Sequence, residues 1–284
     1  RQQAINLYDR FTHGGMDRRD FMARMTAIAG TGAAASALIA SIAADPAAAT
    51  VVDATDARLI TSKGPLTGSS KFSGYVAARK GVKKAGVVMV VHENRGLTPH
   101  IEDIARRIAL EGFIAVAPDM LSSMGGTPAD ENAARDMIGK LDLSATVASA
   151  TMLSEDLKKL RHSNRKLGII GFCWGGAFVN RFAVADGAKL NAGVAYYGPA
   201  PDPAEAVKVK APLLLHYAGL DTRVAQTGET WVAALKAAGK DVTSYTYQGV
   251  NHAFNNDTSA ERYNKAAADL AWQRTIAFFK RNLS

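Results

Sequence analysis

Gly171-Phe172-Cys173-Trp174-Gly175-Gly176 sets the one cysteine of the chain between two patterned segments. Before it, Lys166-Leu167-Gly168-Ile169-Ile170 reads as a short buried strand; after it, 177–185 reads as a helix. A G-x-C-x-G between strand and helix predicts a sharp turn that carries the central side chain at its apex. The flanking glycines leave room where the strand and helix back onto that turn. The apex also lies at the positive end of the following helix, which favours a thiolate. A lone cysteine is most often an inert core residue, so its company decides whether this one has chemistry.

That company comes from the order of the remaining segments. From Val51 onward, apolar runs at 71–78, 86–91, 113–117, 166–170, 192–197, 213–217 and 242–247 read as strands. Helical patterns fall between them at 100–111, in segments reaching Leu160, and at 177–185, 227–238 and 260–282. Gly86-Val87-Val88-Met89-Val90-Val91 is apolar throughout, as a strand covered on both faces must be. Strand–helix alternation of this length predicts an α/β architecture, a mostly parallel sheet with helices on both faces. The 284 residues divide into a leading segment, 1–50, and a catalytic body, 51–284, large enough for one domain. In such a sheet the chemistry belongs to loops beyond the carboxyl ends of the strands.

Three loops in that register carry reactive groups. Cys173 follows the strand at 166–170, Asp221 the strand at 213–217, and His252 the strand at 242–247. Nucleophile, acid and histidine in that order suit a triad: His252 moves protons while Asp221 fixes its tautomer. A thiol with an ordinary pKa of about 8.5 needs such a base, or a positive field, to act at neutral pH. A fourth stretch, His92-Glu93-Asn94-Arg95-Gly96, follows the buried strand at 86–91.

Together with Ala117-Pro118-Asp119 and His252-Ala253-Phe254, these pieces resemble the dienelactone hydrolase family of α/β-hydrolases across about residues 70–284. The resemblance implies the α/β-hydrolase fold and a Cys173–Asp221–His252 triad. It further implies that Glu93 holds the resting thiol, and that the backbone N–H groups of Trp174 and Asn94 form an oxyanion hole. The expected reaction is hydrolysis of small carboxylic esters or lactones through a cysteine acyl-enzyme, with no cofactor. The alternative is a catalytically silent ligand-binding protein on the same scaffold. One departure bears on substrate. The arginines with which the family holds a substrate carboxylate have no counterpart in Met120–Met124 or at Asn255-Asn256. Arg95 and Arg223, on neighbouring loops, are the substitutes.

Other chemistries fit less well. His92, Glu93, His216 and His252 have no metal-binding spacing, so no metal is expected. The net charge of +8 is scattered rather than interleaved with aromatics, which argues against nucleic acid as a partner. A small ester or lactone is the expected partner, and self-association is compatible with the sequence.

The first fifty residues admit two readings. Arg18-Arg19 with Phe21, an uncharged run from Met25 to Ala44, and Ala47-Ala48-Ala49 resemble a twin-arginine export signal cleaved near Thr50, giving a periplasmic or exported protein. Asp17 stands where such signals usually carry Ser or Thr. The other reading is a cytoplasmic protein with a retained helix, since Ile5, Tyr8 and Phe11 share a helical face. The absence of an initiator Met at Arg1 leaves room for residues upstream. Gly30, Gly32 and the many alanines make a stable membrane span a poor third reading.

Overall fold

A computed structural model describes residues 1–43, 50–66 and 71–284 and shows one eight-stranded sheet among them. The strands are β1 (Leu59–Pro65), β2 (Ser73–Arg79), β3 (Ala85–Val91), β4 (Ile114–Pro118), β5 (Ser163–Phe172), β6 (Ala192–Tyr196), β7 (Leu213–Ala218) and β8 (Val242–Tyr247). Their order is β1-β2-β4-β3-β5-β6-β7-β8. β2 pairs antiparallel with both β1 and β4, and every other pairing is parallel. The expected mostly parallel sheet is therefore present. β1 is an addition: its exposed edge carries a single buried residue, Leu59, and so no apolar alternation to read.

Both faces of the sheet are covered. Along β3, Val88 and Val90 join a core with Ile104 and Phe279, while Val87, Met89 and Val91 join another with Phe178 and Leu153. That period of two lets a wholly apolar strand feed two cores at once. The covering helices of the body are α4 (Pro99–Leu110), α5 (Glu131–Lys140), α6 (Leu143–Lys158), α7 (Trp174–Ala185), α8 (Thr222–Ala237) and α9 (Lys265–Leu283). They follow α1 (Gln2–Thr12), α2 (Arg18–Ala29) and α3 (Gly32–Ile42) of the leading segment.

Two helices begin earlier than the apolar pattern suggests, with Cys173 and Asp221 at their N-cap positions. α7 starts immediately after Cys173, and α8 starts after Asp221, whose carboxylate accepts from the Val224 N–H at 3.2 Å. α9 begins later than expected, at Lys265, where the Asn264 side chain accepts from the Ala267 N–H.

The leading segment has a small core of its own, built from Ile5, Tyr8, Phe21, Met25 and Ile42. Asp17 caps α2 by accepting from the Asp20 N–H at 2.9 Å, and Arg18 and Arg19 beside it are exposed. Ala47-Ala48-Ala49, the site of the expected cleavage, lies outside the described residues. Among the described residues no single helix is long and apolar enough to cross a membrane; α2 and α3 reach that composition only as a pair bent by 102°.

Candidate active site

Cys173 sits between β5 and α7 at φ 56° and ψ −112°, a conformation that L residues rarely adopt and that signals an enforced turn. The glycines around it are required by contact. A Cβ on Gly171 would lie 2.1 Å from the Gly175 carbonyl oxygen, and one on Gly175 would lie 2.4 Å from that of Val91. The turn therefore closes only where strand, turn and helix backbones touch. Its apex is pinned by the Cys173 N–H, which donates to the Tyr196 carbonyl at 3.0 Å.

The other two sequence-derived residues converge on the same rim. His252 Nδ1 lies 2.5 Å from Asp221 Oδ2, and both side chains are buried. Burial pushes Asp221 up, but the His252 imidazole and its hydrogen bond more than reverse this and hold the carboxyl at about 2. For His252, burial lowers the pKa, while the Cys173 sulfur and the Asp221 carboxylate raise it to about 10. Its Nε2 is buried without a hydrogen bond of good geometry among the described residues, and the Cys173 sulfur lies beside the ring. The Tyr197 ring packs against the imidazole with centroids 4.9 Å apart.

The leading segment supplies a residue that the strand-by-strand reading did not find. His13, at the C-terminal end of α1, places Nε2 3.1 Å from Cys173 Sγ. Its Nδ1 lies 2.6 Å from the Asp9 carbonyl oxygen, which fixes the ring. Burial pushes the Cys173 thiol up, and the His13 and His252 imidazoles more than offset it, leaving the thiol at about 6. Nothing near residue 13 in the sequence carries a catalytic motif; the only local signal is His13-Gly14-Gly15 closing a helix, with Gly14 at φ +78°.

Glu93 reaches the same small cavity as Cys173, but its carboxylate accepts from Asn256 Nδ2 at 2.8 Å, and no hydrogen bond to the thiol is found among the described residues. Glu93 and His13 thus line the same cavity as the thiol, and His13 is the one within hydrogen-bond distance of Sγ among the described residues. The N–H groups of Trp174 and Asn94 donate to no protein group among the described residues, leaving both available to an oxyanion. The Asn94 side chain is already used, donating to the Thr12 carbonyl at 2.9 Å.

The two substrate-binding candidates part company. Arg95 is occupied: it donates to the Tyr8 hydroxyl at 3.1 Å and lies 3.4 Å from Glu131. Arg223 has a buried Nη2 without a hydrogen-bond partner among the described residues and lines an open cleft of about 700 Å³ together with Arg10 and His13. The cavity over Cys173 itself is only about 30 Å³, and His13 lines both spaces. A volume of that order holds roughly one water molecule, so His13 is the wall between the open cleft and the thiol.

The four groups weighed as metal ligands do not gather. His92 stacks on Trp174, and its Nε2 accepts from the Met120 N–H at 3.1 Å. His216 is held deep in the sheet between Thr275 and Tyr247. The one cluster of donors spaced for a metal among the described residues is His13, Cys173 and His252, whose donor atoms lie within 4.8 Å of one another.

This architecture has well-defined relatives. Residues 72–283 match the model of the dienelactone hydrolase family. The chain belongs to the dienelactone hydrolase family. A provisionally named carboxymethylenebutenolidase of Escherichia coli O157:H7 is 31% identical over 258 residues, covering 84% of this chain and 93% of that protein. One of Yersinia pestis is 34% identical over 215 residues, covering 68% of this chain and 77% of its own length. Among solved structures, a provisionally named dienelactone hydrolase of Klebsiella pneumoniae is similar with a TM-score of 0.71 and 28% identity, covering 78% of this chain and 98% of that one. Family membership makes the protein a hydrolase and its partner a small molecule. Residues 1–29 match a separate model, described as YqhI-like, so the two segments of this dienelactone hydrolase relative differ in kinship as they do in packing.

Proposed function

We propose that this hydrolase cleaves small carboxylic esters or lactones through a Cys173 acyl-enzyme. The observation that carries the reading is a cysteine at the apex of a contact-locked elbow, facing a histidine whose far nitrogen is held by Asp221 at 2.5 Å. With Cys173 resting as the thiolate and His252 carrying a proton on Nε2, the thiolate attacks the ester carbonyl carbon, forming the C–S bond and moving the carbonyl π pair onto oxygen. The N–H groups of Trp174 and Asn94 receive that charge. Collapse breaks the C–O bond, and the departing alkoxide takes the proton from His252 Nε2. The neutral imidazole then takes a proton from water; the hydroxide attacks the thioester carbon and expels the thiolate, releasing the acid. Arg223 is the better candidate for drawing in an anionic substrate, since Arg95 is already paired.

For residues 1–50 the reading we adopt is a retained helical extension rather than a cleaved export signal. Its support is a set of polar links to the body: Arg1 with Glu261, Asp9 with Arg262 at 3.4 Å, and the Ile42 carbonyl accepting from Ser259 Oγ at 2.7 Å.

Cys173→Ala, assayed on an activated short-chain ester with intact-mass spectrometry alongside, tests the reaction. The variant is expected to lose turnover while keeping its fold, and only the wild type should carry an acyl adduct. Turnover unchanged by the substitution rejects the thiol mechanism; no turnover and no adduct in either form favours the ligand-binding alternative. On protein from its native source, the same spectra show whether the chain keeps its first fifty residues, and cell fractionation separates periplasmic from cytoplasmic protein.

A further inference from the structure

Resting on that reading of Cys173, we propose that His13 is a further catalytic residue: carried to Sγ by the end of α1, it holds the thiol and takes its proton. The geometry forces a proton into this contact. Nδ1, 2.6 Å from the Asp9 carbonyl, must carry a hydrogen to make that approach favourable. A neutral ring therefore turns a lone pair at Nε2 toward Sγ, 3.1 Å away. A thiolate facing that lone pair would be repelled. The contact is either S–H donating to nitrogen or, after transfer, imidazolium N–H donating to thiolate. In the transfer the S–H bond breaks, its electron pair stays on sulfur, and the N–H bond forms at Nε2. The Asp9 carbonyl, accepting from Nδ1, stabilises the resulting cation.

Such a pair divides the proton work. His252 Nε2 makes no hydrogen bond of good geometry among the described residues, and with His13 holding the thiol it can serve the leaving alkoxide and water. Glu93 is engaged by Asn256 at 2.8 Å. The charged and titratable groups facing the pair are His252 with Asp221 behind it, Tyr8, Glu93, Arg95, Arg262 and Tyr197, with Arg10 and Arg223 on the open side of His13. Of these, the imidazole of His252 also works to lower the thiol, and it ranks behind His13 in doing so.

The test uses the full chain and needs no ester, because Cys173 is the one cysteine and its alkylation by iodoacetamide reports the thiolate directly. In wild type, the alkylation rate should rise with an inflection near 6. In His13→Gln it should move up by about one pH unit, so that alkylation below the inflection slows roughly tenfold while the high-pH plateau stays. The acid limb of kcat/KM should move with it. His13→Ala, which vacates the ring, should regain low-pH alkylation when imidazole is added. His13 is partly exposed, so both variants are expected to fold. An unmoved inflection in His13→Gln overturns the proposal, as does a change confined to KM, which would leave His13 a wall of the cleft. A shifted thiol in a protein that turns over no ester keeps the pairing and sinks the esterase reading instead. Ester turnover with an unshifted acid limb does the reverse.

Discussion

The body and the leading segment of this chain solve different problems with different means. The body holds its reactive groups by backbone contact: the elbow is closed by glycines that admit no Cβ, and Cys173 and Asp221 follow the buried carboxyl ends of β5 and β7. The leading segment has only a handful of apolar residues in its own core and reaches the body through polar side chains, several of them partly exposed. Yet both place an imidazole against the same sulfur. The contrast teaches that a site on a rigid scaffold gains a further group most readily from an added element that lies across its mouth, because the scaffold leaves the carboxyl edge of the sheet open.

The largest test of this contrast falls on the body. Asp221→Asn keeps the shape of the residue but withdraws the charge that holds His252 in its tautomer and supports its cation, and turnover should fall by roughly 10³–10⁴-fold. Because Asp221 and Cys173 both support the His252 proton, the basic limb of the pH–rate profile should also move to lower pH in this variant. A loss under tenfold would mean that His252 is oriented by its packing against Tyr197 rather than by the carboxylate.

Why the body was legible and the leading segment was not follows from how each is held. Cys173 and Asp221 stand soon after apolar runs, and His252 follows the alternating 242–247 segment within five residues, so strand order predicts that the three share a rim. Of the elbow glycines, Gly171 is readable from a contact near in sequence, with Gly175, whereas Gly175 is needed by a contact with Val91 on another strand. The helix starts at 174 and 222 lie outside the apolar pattern because Cys173 and Asp221 occupy the N-cap positions, where no apolar periodicity has begun. His13 was invisible for a different reason. Its partner lies 160 positions away, and the chain between them gives no pattern that says where α1 will rest. The resemblance to dienelactone hydrolases directed attention to Glu93 for the thiol, and in this chain Asn256 engages that carboxylate.

That substitution of partners gives the middle test. Glu93→Gln retains an acceptor for Asn256 Nδ2 and removes only the charge. If His13 serves the thiol, kcat/KM in Glu93→Gln should change by less than about tenfold, with the alkylation inflection unmoved to within a few tenths of a unit. A shift as large as that of His13→Gln would return the thiol to Glu93 and make α1 a covering element alone.

The smallest effect concerns how firmly the segment is attached. Tyr8 lies buried under Arg262, whose guanidinium carbon is 5.2 Å from the ring centre, while its hydroxyl accepts from Arg95 at 3.1 Å. Tyr8→Phe keeps the ring and deletes the hydrogen bond, and Arg95 keeps Glu131. The expected cost is about 0.5–1.5 kcal/mol. Because α1 is joined to the body by few such links, that cost should appear locally, as amide exchange about 2–10-fold faster over residues 2–13 with the β3 and β5 amides unchanged. Exchange quickened throughout the sheet would show that the segment and the body open as one unit, and the contrast between them would be one of sequence alone. Exchange quickened only in α1, with the alkylation inflection drifting upward toward that of His13→Gln, would tie the two observations together: the thiol is held by His13 for as long as α1 stays down.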